Sequence, residues 1–125
     1  MRGPGVTWTD YSDEVLKEAA RLKRPAMIDF YAAWCAPCRE LDESTFHDPA
    51  VVKQAQNGFV MIKVDVTKGG NPTHERLLQE YGIKGVPTIV FLNADGKECH
   101  DLRLLDFLPP DQMLDRMSRL QKDCS

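Results

Sequence analysis

The chain has 125 residues, of which 42% are hydrophobic and 28% charged, the composition of a globular protein that can bury a core of its own. A formal net charge of −3 gives no basic footprint, which argues against nucleic acid as a partner. No apolar run approaches the roughly 20 residues that a membrane helix needs, so we expect no direct insertion of this segment into a membrane. We predict one domain over residues 1–125, with residues 1–5 disordered or foreign to the natural chain.

The first elements predicted along the chain are a strand, a helix and a second strand. Residues 6–8 are predicted as a short strand, and residues 13–24 as a helix capped by Ser12. Residues 26–31, AMIDFY, are predicted as a buried strand in which Asp29 is the discordant residue. The next predicted elements are helices over residues 35–46 and 50–56, a strand over residues 59–65 and a helix over residues 73–80.

The last third of the sequence predicts a hairpin and a final helix. Residues 87–92, PTIVFL, are predicted as a strand, NADG at 93–96 as a hairpin turn, and residues 97–104 as the returning strand. A last helix is predicted to open at Pro109-Pro110-Asp111 and to run to about Leu120, since apolar residues then recur at helical spacing. The order β-α-β-α-β-α-β-β-α predicts an α/β fold, with a mixed central β-sheet flanked by helices on both faces.

Cys35 and Cys38 form a Cys-x-x-Cys motif between a buried strand and a predicted helix. The unpaired N–H groups of a first helical turn favour the thiolate form of a cysteine that lies beside them. A thiolate attacks disulfides, and a second cysteine about one turn further on can resolve the mixed disulfide that results. We therefore predict Cys35 as the nucleophile and Cys38 as the resolving thiol, with Pro37 accommodated in the first turn.

A zinc site is the alternative for this pair. It would need two further ligands, and the candidates do not have the spacing of a zinc motif. They are His47, His74, Cys99 and His100. The position of the motif between a strand and a helix, in an alternating α/β chain, favours redox chemistry, and we predict no metal. Cys99 and Cys124 are predicted to be free cysteines, while a bridge between the two stays open.

Three motifs, IDFYAAWCAPC, GVPTIVF and NADGK, resemble the thioredoxin family over nearly all of the chain. Within that family, FYAAWCAPCRELDESTFHDPAVV is similar to the C-terminal periplasmic domains of the thiol:disulfide interchange proteins called DsbD. The matching residues are Arg39, Asp42, Thr45, Phe46, Asp48, Pro49 and Val51, together with VDVT at 64–67 and GVPT at 85–88. Two features depart from that group: Ala36-Pro37 is closer to ordinary thioredoxins, and Asp42 stands where DsbD often has Glu.

The resemblance implies a fold and a relay. The fold is thioredoxin-like, and the only redox group implied is the Cys35–Cys38 disulfide, with no other cofactor. Its partners would be protein thiols and disulfides: a membrane-embedded domain that donates electrons and a periplasmic domain that accepts them. The unit would be a monomer on the periplasmic side of the bacterial inner membrane, part of a larger protein whose electron transport serves cytochrome c biogenesis.

Two other functions stay open. One is a stand-alone thioredoxin-like reductase, either cytoplasmic or exported. MRGPGVTWTD at the start has no apolar stretch typical of a signal peptide, which fits either a cytoplasmic protein or a domain taken from a longer chain. The other is a non-catalytic thioredoxin-fold module that binds partners. Intact Cys35, Cys38 and Pro87 argue against that module.

Two carboxylates are predicted to act on the cysteine pair. A buried Asp29 without a partner would have a raised pKa. In thioredoxins the matching residue lies beneath the active site and can exchange a proton as Cys38 reacts; the alternative is a solvated aspartate at a sheet edge. Asp42 follows Cys38 by four residues and so shares its helix face. It is either a second acidic modulator or an ordinary surface carboxylate.

The remaining predicted site residues would contact the substrate. The family has a cis-proline at Pro87, facing the cysteines, which leaves the backbone groups of Val86 free to pair with an extended partner. The alternative is an ordinary trans proline at the start of a strand. Trp34 is expected beside Cys35, where it would limit access, or in the core. Ala36 and Pro37 complete the predicted contact surface.

Overall fold

The computed structural model describes residues 4–124, and a four-stranded sheet in the order β1-β3-β2-β4 lies at its centre. The strands are β1 Thr9–Asp10, β2 Ala26–Tyr31, β3 Val60–Asp65 and β4 Thr88–Leu92. β3 runs parallel to both β1 and β2, whereas β4 pairs antiparallel with β2. The predicted α/β fold with a mixed central sheet is therefore confirmed.

Five helices cover the two faces of this sheet. They are α1 Asp13–Arg21, α2 Ala36–Glu43, α3 Pro49–Gln56, α4 Pro72–Glu80 and α5 Pro110–Lys122. Side chains of α2, α3 and α5 pack with Met27 of β2, and those of α1 and α4 pack with Ile28 and Phe30. Because strand side chains alternate between faces, Asp29 lies on the same face as Met27, beneath α2. No helix among residues 4–124 has the length and apolar character needed to cross a membrane.

The N-terminal segment departs from the predicted strand over residues 6–8. The Val6 N–H donates to the Phe46 carbonyl (2.8 Å), and the Trp8 ring meets that of Phe46 edge-on at a centroid distance of 4.9 Å. These contacts hold the segment against the 3-10 turn Thr45–His47, so sheet pairing begins only at Thr9. Of the residues predicted to be disordered or foreign, 1–3 lie outside the described residues.

Two predicted helices are shorter than expected. α1 ends at Arg21 instead of residue 24, because Lys23 takes a left-handed backbone conformation (φ 57°) that a helix cannot contain. α2 ends at Glu43, and Ser44 (φ −107°, ψ −74°) separates it from the 3-10 turn that follows. The single helix predicted over residues 35–46 is therefore two elements.

The predicted strand over residues 97–104 is wrong. Two isolated bridges to β4, Leu92–Glu98 and Ile89–Leu104, are all the strand pairing of this segment, and between them runs the 3-10 turn His100–Leu102. Arg116 of α5 donates to the carbonyl oxygen of Leu102 (2.9 Å) and to that of Arg103 (3.2 Å). This side chain takes two carbonyls that a regular strand would offer to a neighbour, and the turn buries Leu102 in the core.

Cys99 and Cys124 form a disulfide, with their Cα atoms 6.2 Å apart, so the prediction of free cysteines is wrong. Cys99 is buried in the core behind α5, and the partly buried Cys124 packs against the same cluster. The disulfide joins the residues just after α5 to the segment that follows β4. No sequence pattern near either cysteine predicts this disulfide, because the contact between the two cysteines depends on how α5 packs against the rest of the fold.

The Cys124→Ala variant should therefore be less stable than the parent chain by about 3.5 kcal/mol, the value expected for a cross-link across 25 residues. Urea unfolding followed by circular dichroism measures the difference. Single replacement leaves the buried Cys99 in place, so core packing is kept. In strong reductant the two proteins should unfold at the same midpoint. Equal midpoints without reductant would contradict a stabilising bridge.

Candidate active site

The Cys35–Cys38 disulfide lies at the start of α2, as the sequence predicts, with a Cα–Cα distance of 5.3 Å. Cys35 is the N-cap of this helix, and its Sγ accepts the Cys38 N–H at 3.2 Å. The donor-free nitrogen of Pro37 falls within the first turn, where it costs no helical hydrogen bond. Because an N–H of the first turn already points at Cys35 Sγ, negative charge on this sulfur would be stabilised after reduction.

The surroundings of the two sulfurs are mainly apolar. Cys35 and Cys38 are only 5% and 7% exposed, and both pack with the buried Ala32. Tyr31, Val66 and Val86 pack against this cluster from the ends of three different segments. An apolar surrounding of this kind limits the access of water to the sulfurs.

Three of the predicted contact residues adjoin Cys35 in the chain. Trp34 is 68% exposed, so the alternative of a core position is excluded, and its Nε1–H points to the Thr67 carbonyl at 3.4 Å. Ala36 is exposed and Pro37 partly buried. Exposed apolar groups beside a disulfide are suited to meeting a protein surface.

The Val86–Pro87 peptide bond is cis, as the sequence resemblance implies, and Pro87 is buried directly before β4. Val86 lies outside the helices and strands and, among residues 4–124, takes part in no turn or loop backbone hydrogen bond. The Thr88 hydroxyl donates to the Gly85 carbonyl at 2.7 Å and fixes the loop. The backbone of Val86 is thus held next to the disulfide and is available for pairing.

Asp29 carries an orphaned carboxylate oxygen. Its Oδ1 is buried and accepts no hydrogen bond in the described part of the chain. Burial, and then the negative charge of Asp42, raise the pKa of Asp29 to about 7. The direction is the one expected from the sequence, and its value leaves this group able to take up and release a proton near neutral pH.

A cavity of about 370 Å³ joins the two carboxylates to Cys38. Its walls include Asp29, Asp42 and Cys38, with Trp8 and Lys63. Asp42 is exposed at the mouth, on the α2 face that it shares with Cys38. Asp29, Asp42 and Cys38 thus line one cavity, and Asp42 lies at its opening to solvent.

Sequence reasoning missed Trp8 and Lys63 as parts of this site. Lys63 is the register partner of Asp29 across β2 and β3. The sequence could have indicated Lys63, because it is the one cation within the apolar run FVMIKVD. Asp29 was recognised in the same way, as the one charge within AMIDFY. Trp8 gave no such signal, because its place in the cavity wall follows from its contact with Phe46.

The residues named for the alternative zinc site do not assemble. Among residues 4–124, no group of three or more His, Cys, Asp or Glu side chains is arranged to hold a metal ion. Cys99, one of the candidates, is bonded to Cys124.

Comparisons with known proteins place this site in a family. A model of the thioredoxin-like domain matches residues 12–121. The thiol:disulfide interchange protein DsbD of Vibrio vulnificus is 40% identical over 102 residues, which make up 82% of this chain and only 17% of that protein. The chain thus corresponds to a small part of the curated relatives that it matches.

Solved structures agree with this assignment. The C-terminal domain of DsbD from Neisseria meningitidis, in its reduced form, superposes with a TM-score of 0.73 at 29% identity, covering 90% of this chain and 100% of that one. A thioredoxin from Thermus thermophilus gives 0.77 at 26% identity, covering 94% and 88%. The matched model, the fold and the cysteine motif together show that the chain belongs to the thioredoxin-like family, with DsbD proteins among its relatives.

Proposed function

We propose that this chain passes electrons from its Cys35–Cys38 dithiol to protein disulfides, in the manner of the C-terminal domain of DsbD. The observation that carries the proposal is the N-cap position of Cys35, whose sulfur receives the Cys38 N–H. This contact distinguishes the two cysteines, which are otherwise similarly buried. It favours Cys35 as the thiolate that attacks.

Each cycle transfers two electrons. The Cys35 thiolate attacks one sulfur of the substrate disulfide, and the other substrate sulfur leaves as a thiolate. Cys38 then loses its proton and attacks Cys35 Sγ, which releases the second substrate thiolate and forms the Cys35–Cys38 disulfide. The substrate has gained two electrons and the dithiol has lost two. Protons from the dithiol or solvent complete the substrate thiols.

Asp29 is the proposed acceptor of the Cys38 proton, since the two side chains line one cavity and burial raises the pKa of Asp29 to about 7. Asp42 acts through Asp29, because its negative charge contributes to that raised pKa. Trp34, Ala36 and Pro37 form one side of the proposed substrate surface. Val86 and Pro87 form the other, with the Val86 backbone pairing with an extended substrate segment.

We also propose the setting of this domain. The DsbD relatives support a single monomeric domain within a larger protein at the periplasmic side of the inner membrane. It would receive electrons from a membrane-embedded domain and pass them to a periplasmic acceptor domain that supplies, among others, cytochrome c biogenesis. The second candidate is a stand-alone thioredoxin, favoured by Ala36-Pro37 between the cysteines and by the similarity to the Thermus thermophilus protein.

Insulin reduction tests the activity. The wild-type chain, kept reduced by dithiothreitol, should accelerate precipitation of the insulin B chain well beyond dithiothreitol alone. A rate equal to that of dithiothreitol would leave only the non-catalytic binding module. The setting is tested separately by the native gene: a reading frame that continues upstream into membrane helices supports the DsbD-like relay, and a short frame beginning near Met1 supports the stand-alone protein.

A further inference from the structure

The loop that follows β3 holds the backbone just before the cysteine motif. The Ala33 N–H donates to Thr67 Oγ1 at 2.9 Å. The Thr67 hydroxyl in turn donates to Asp65 Oδ1, and the Thr67 N–H donates to the same oxygen at 2.9 Å. A carboxylate can only accept hydrogen bonds, so the hydroxyl hydrogen is committed to Asp65. The lone pairs of Thr67 Oγ1 are therefore left for the Ala33 N–H.

The electrostatics of Asp65 agree with this polarity. The hydrogen bond from the Thr67 hydroxyl is the largest influence on Asp65 and holds the pKa of its carboxyl below the ordinary value. Asp65 thus remains ionised, and remains an acceptor, throughout the neutral range. The Thr67 hydroxyl therefore keeps donating its hydrogen to Asp65 in this pH range.

The other polar group of the same residue is also held by a side chain. Arg39 of α2 donates through Nη1 to the Ala33 carbonyl at 2.9 Å. Ala33 therefore has its N–H fixed from the β3–α4 loop and its C=O fixed from α2. In addition, the Trp34 indole N–H points to the Thr67 carbonyl at 3.4 Å.

We propose that Thr67, oriented by Asp65, is a positioning residue that together with Arg39 fixes the backbone at Ala33 and the exposed Trp34 beside Cys35. The inference rests on the proposed function. It explains in addition how the proposed substrate-binding surface is kept in place. Ala33 and Trp34 are both exposed, so core packing does not order them. Without the hydrogen bonds of Thr67 and Arg39 to Ala33, this segment would become ordered only when a protein substrate binds. The lost conformational entropy would then lower the affinity for the substrate.

The Thr67→Val variant removes the hydroxyl at nearly constant shape. We expect the KM for insulin disulfides to rise about tenfold, the effect of ordering roughly one residue upon binding, with kcat changed less than about twofold. The second-order rate with a small aromatic disulfide should also stay within about twofold, because that reaction does not use the protein contact surface. Thr67→Ser keeps the hydroxyl and should restore the KM.

A spectroscopic readout separates positioning from general destabilisation. In a Trp8→Phe background, Trp34 is the single indole, and Thr67→Val should lower its fluorescence anisotropy and increase its quenching by acrylamide. Thr73→Val is the matched control, because Thr73 is exposed on α4 and its side chain makes no hydrogen bond within residues 4–124. This control should leave the KM and the fluorescence unchanged.

Three outcomes would overturn the inference. One is a Thr67→Val protein with an unchanged KM and unchanged Trp34 anisotropy. Another is equal losses toward insulin and the small disulfide, in step with a lowered melting temperature. The third is failure of Thr67→Ser to restore the KM. Each requires an active wild-type chain, whereas failure of the proposed function would appear as an inactive one.

Discussion

Cys35→Ser should lower the insulin reductase rate at least about 100-fold, because a serine hydroxyl does not ionise near neutral pH and cannot form the mixed disulfide. Cys38→Ser should behave differently. It keeps the attacking sulfur but has no resolving thiol, so it should accumulate a covalent complex with the substrate that is visible on a non-reducing gel. The two variants thus report separately on attack and on resolution.

The second disulfide provides the matched control for this pair. Cys124→Ala also removes one cysteine of a bridge, yet it should keep the insulin reductase rate within about twofold, because its sulfur takes no part in the cycle. Full turnover by Cys35→Ser, or covalent trapping by Cys35→Ser instead of Cys38→Ser, would reverse the assignment of nucleophile and resolving thiol.

Asp29→Asn should make the protein more stable at pH 8 than at pH 4, relative to the parent chain. Burial, followed by the charge of Asp42, raises the pKa of Asp29 from 3.8 to about 7 in the folded state. The folded protein therefore holds the proton more tightly than the unfolded chain. The contribution of this proton binding at Asp29 to the stability of the folded protein is fully present below about pH 4 and is lost as pH rises through about 7.

The size of this effect follows from the same shift. At about 1.4 kcal/mol per pH unit, the relative gain of Asp29→Asn at pH 8 over pH 4 is about 4 kcal/mol at most. The asparagine amide also places a buried oxygen where no donor reaches it, and the free-energy cost of this is the same at both pH values. It therefore cancels when the stability difference at pH 4 is subtracted from that at pH 8. Urea unfolding at each pH gives the free energies.

Glu40→Gln is the control for this experiment, since Glu40 is an exposed carboxylate on the same helix as Asp42 and does not affect the pKa of Asp29. Its stability difference should change much less between the two pH values than that of Asp29→Asn. The Asp29→Asn protein should also resolve mixed disulfides more slowly, because Cys38 loses its proton acceptor. A pH-independent stability difference would show that Asp29 ionises normally.

Features encoded locally could be predicted from the sequence. The strand AMIDFY was predicted with the bounds that β2 has, since its apolar β-formers depend little on the rest of the chain. The helix start at the cysteines and the cis peptide before Pro87 follow from motifs of a few residues. The raised pKa of Asp29 followed from one charge within an apolar strand.

Features that depend on docking between distant elements could not be predicted. NADG correctly marked a turn, but the segment that follows it is held at the Leu102 and Arg103 carbonyls by Arg116, which lies more than ten positions further on. The Cys99–Cys124 bridge likewise requires the end of α5 to reach the segment after β4. Thr67 was visible only as part of VDVT, and its bond to Ala33 spans 34 positions of the chain.

The position of the second disulfide keeps the two cysteine pairs apart. The Cys99 N–H bonds to the carbonyl of Phe91, near the far end of β4 from Pro87 and the Cys35–Cys38 pair. At about 3.3 Å per residue, the length of β4 keeps Cys99 well beyond the reach of the Cys35 sulfur. A scrambled isomer that links Cys35 to Cys99 therefore cannot form within the folded domain.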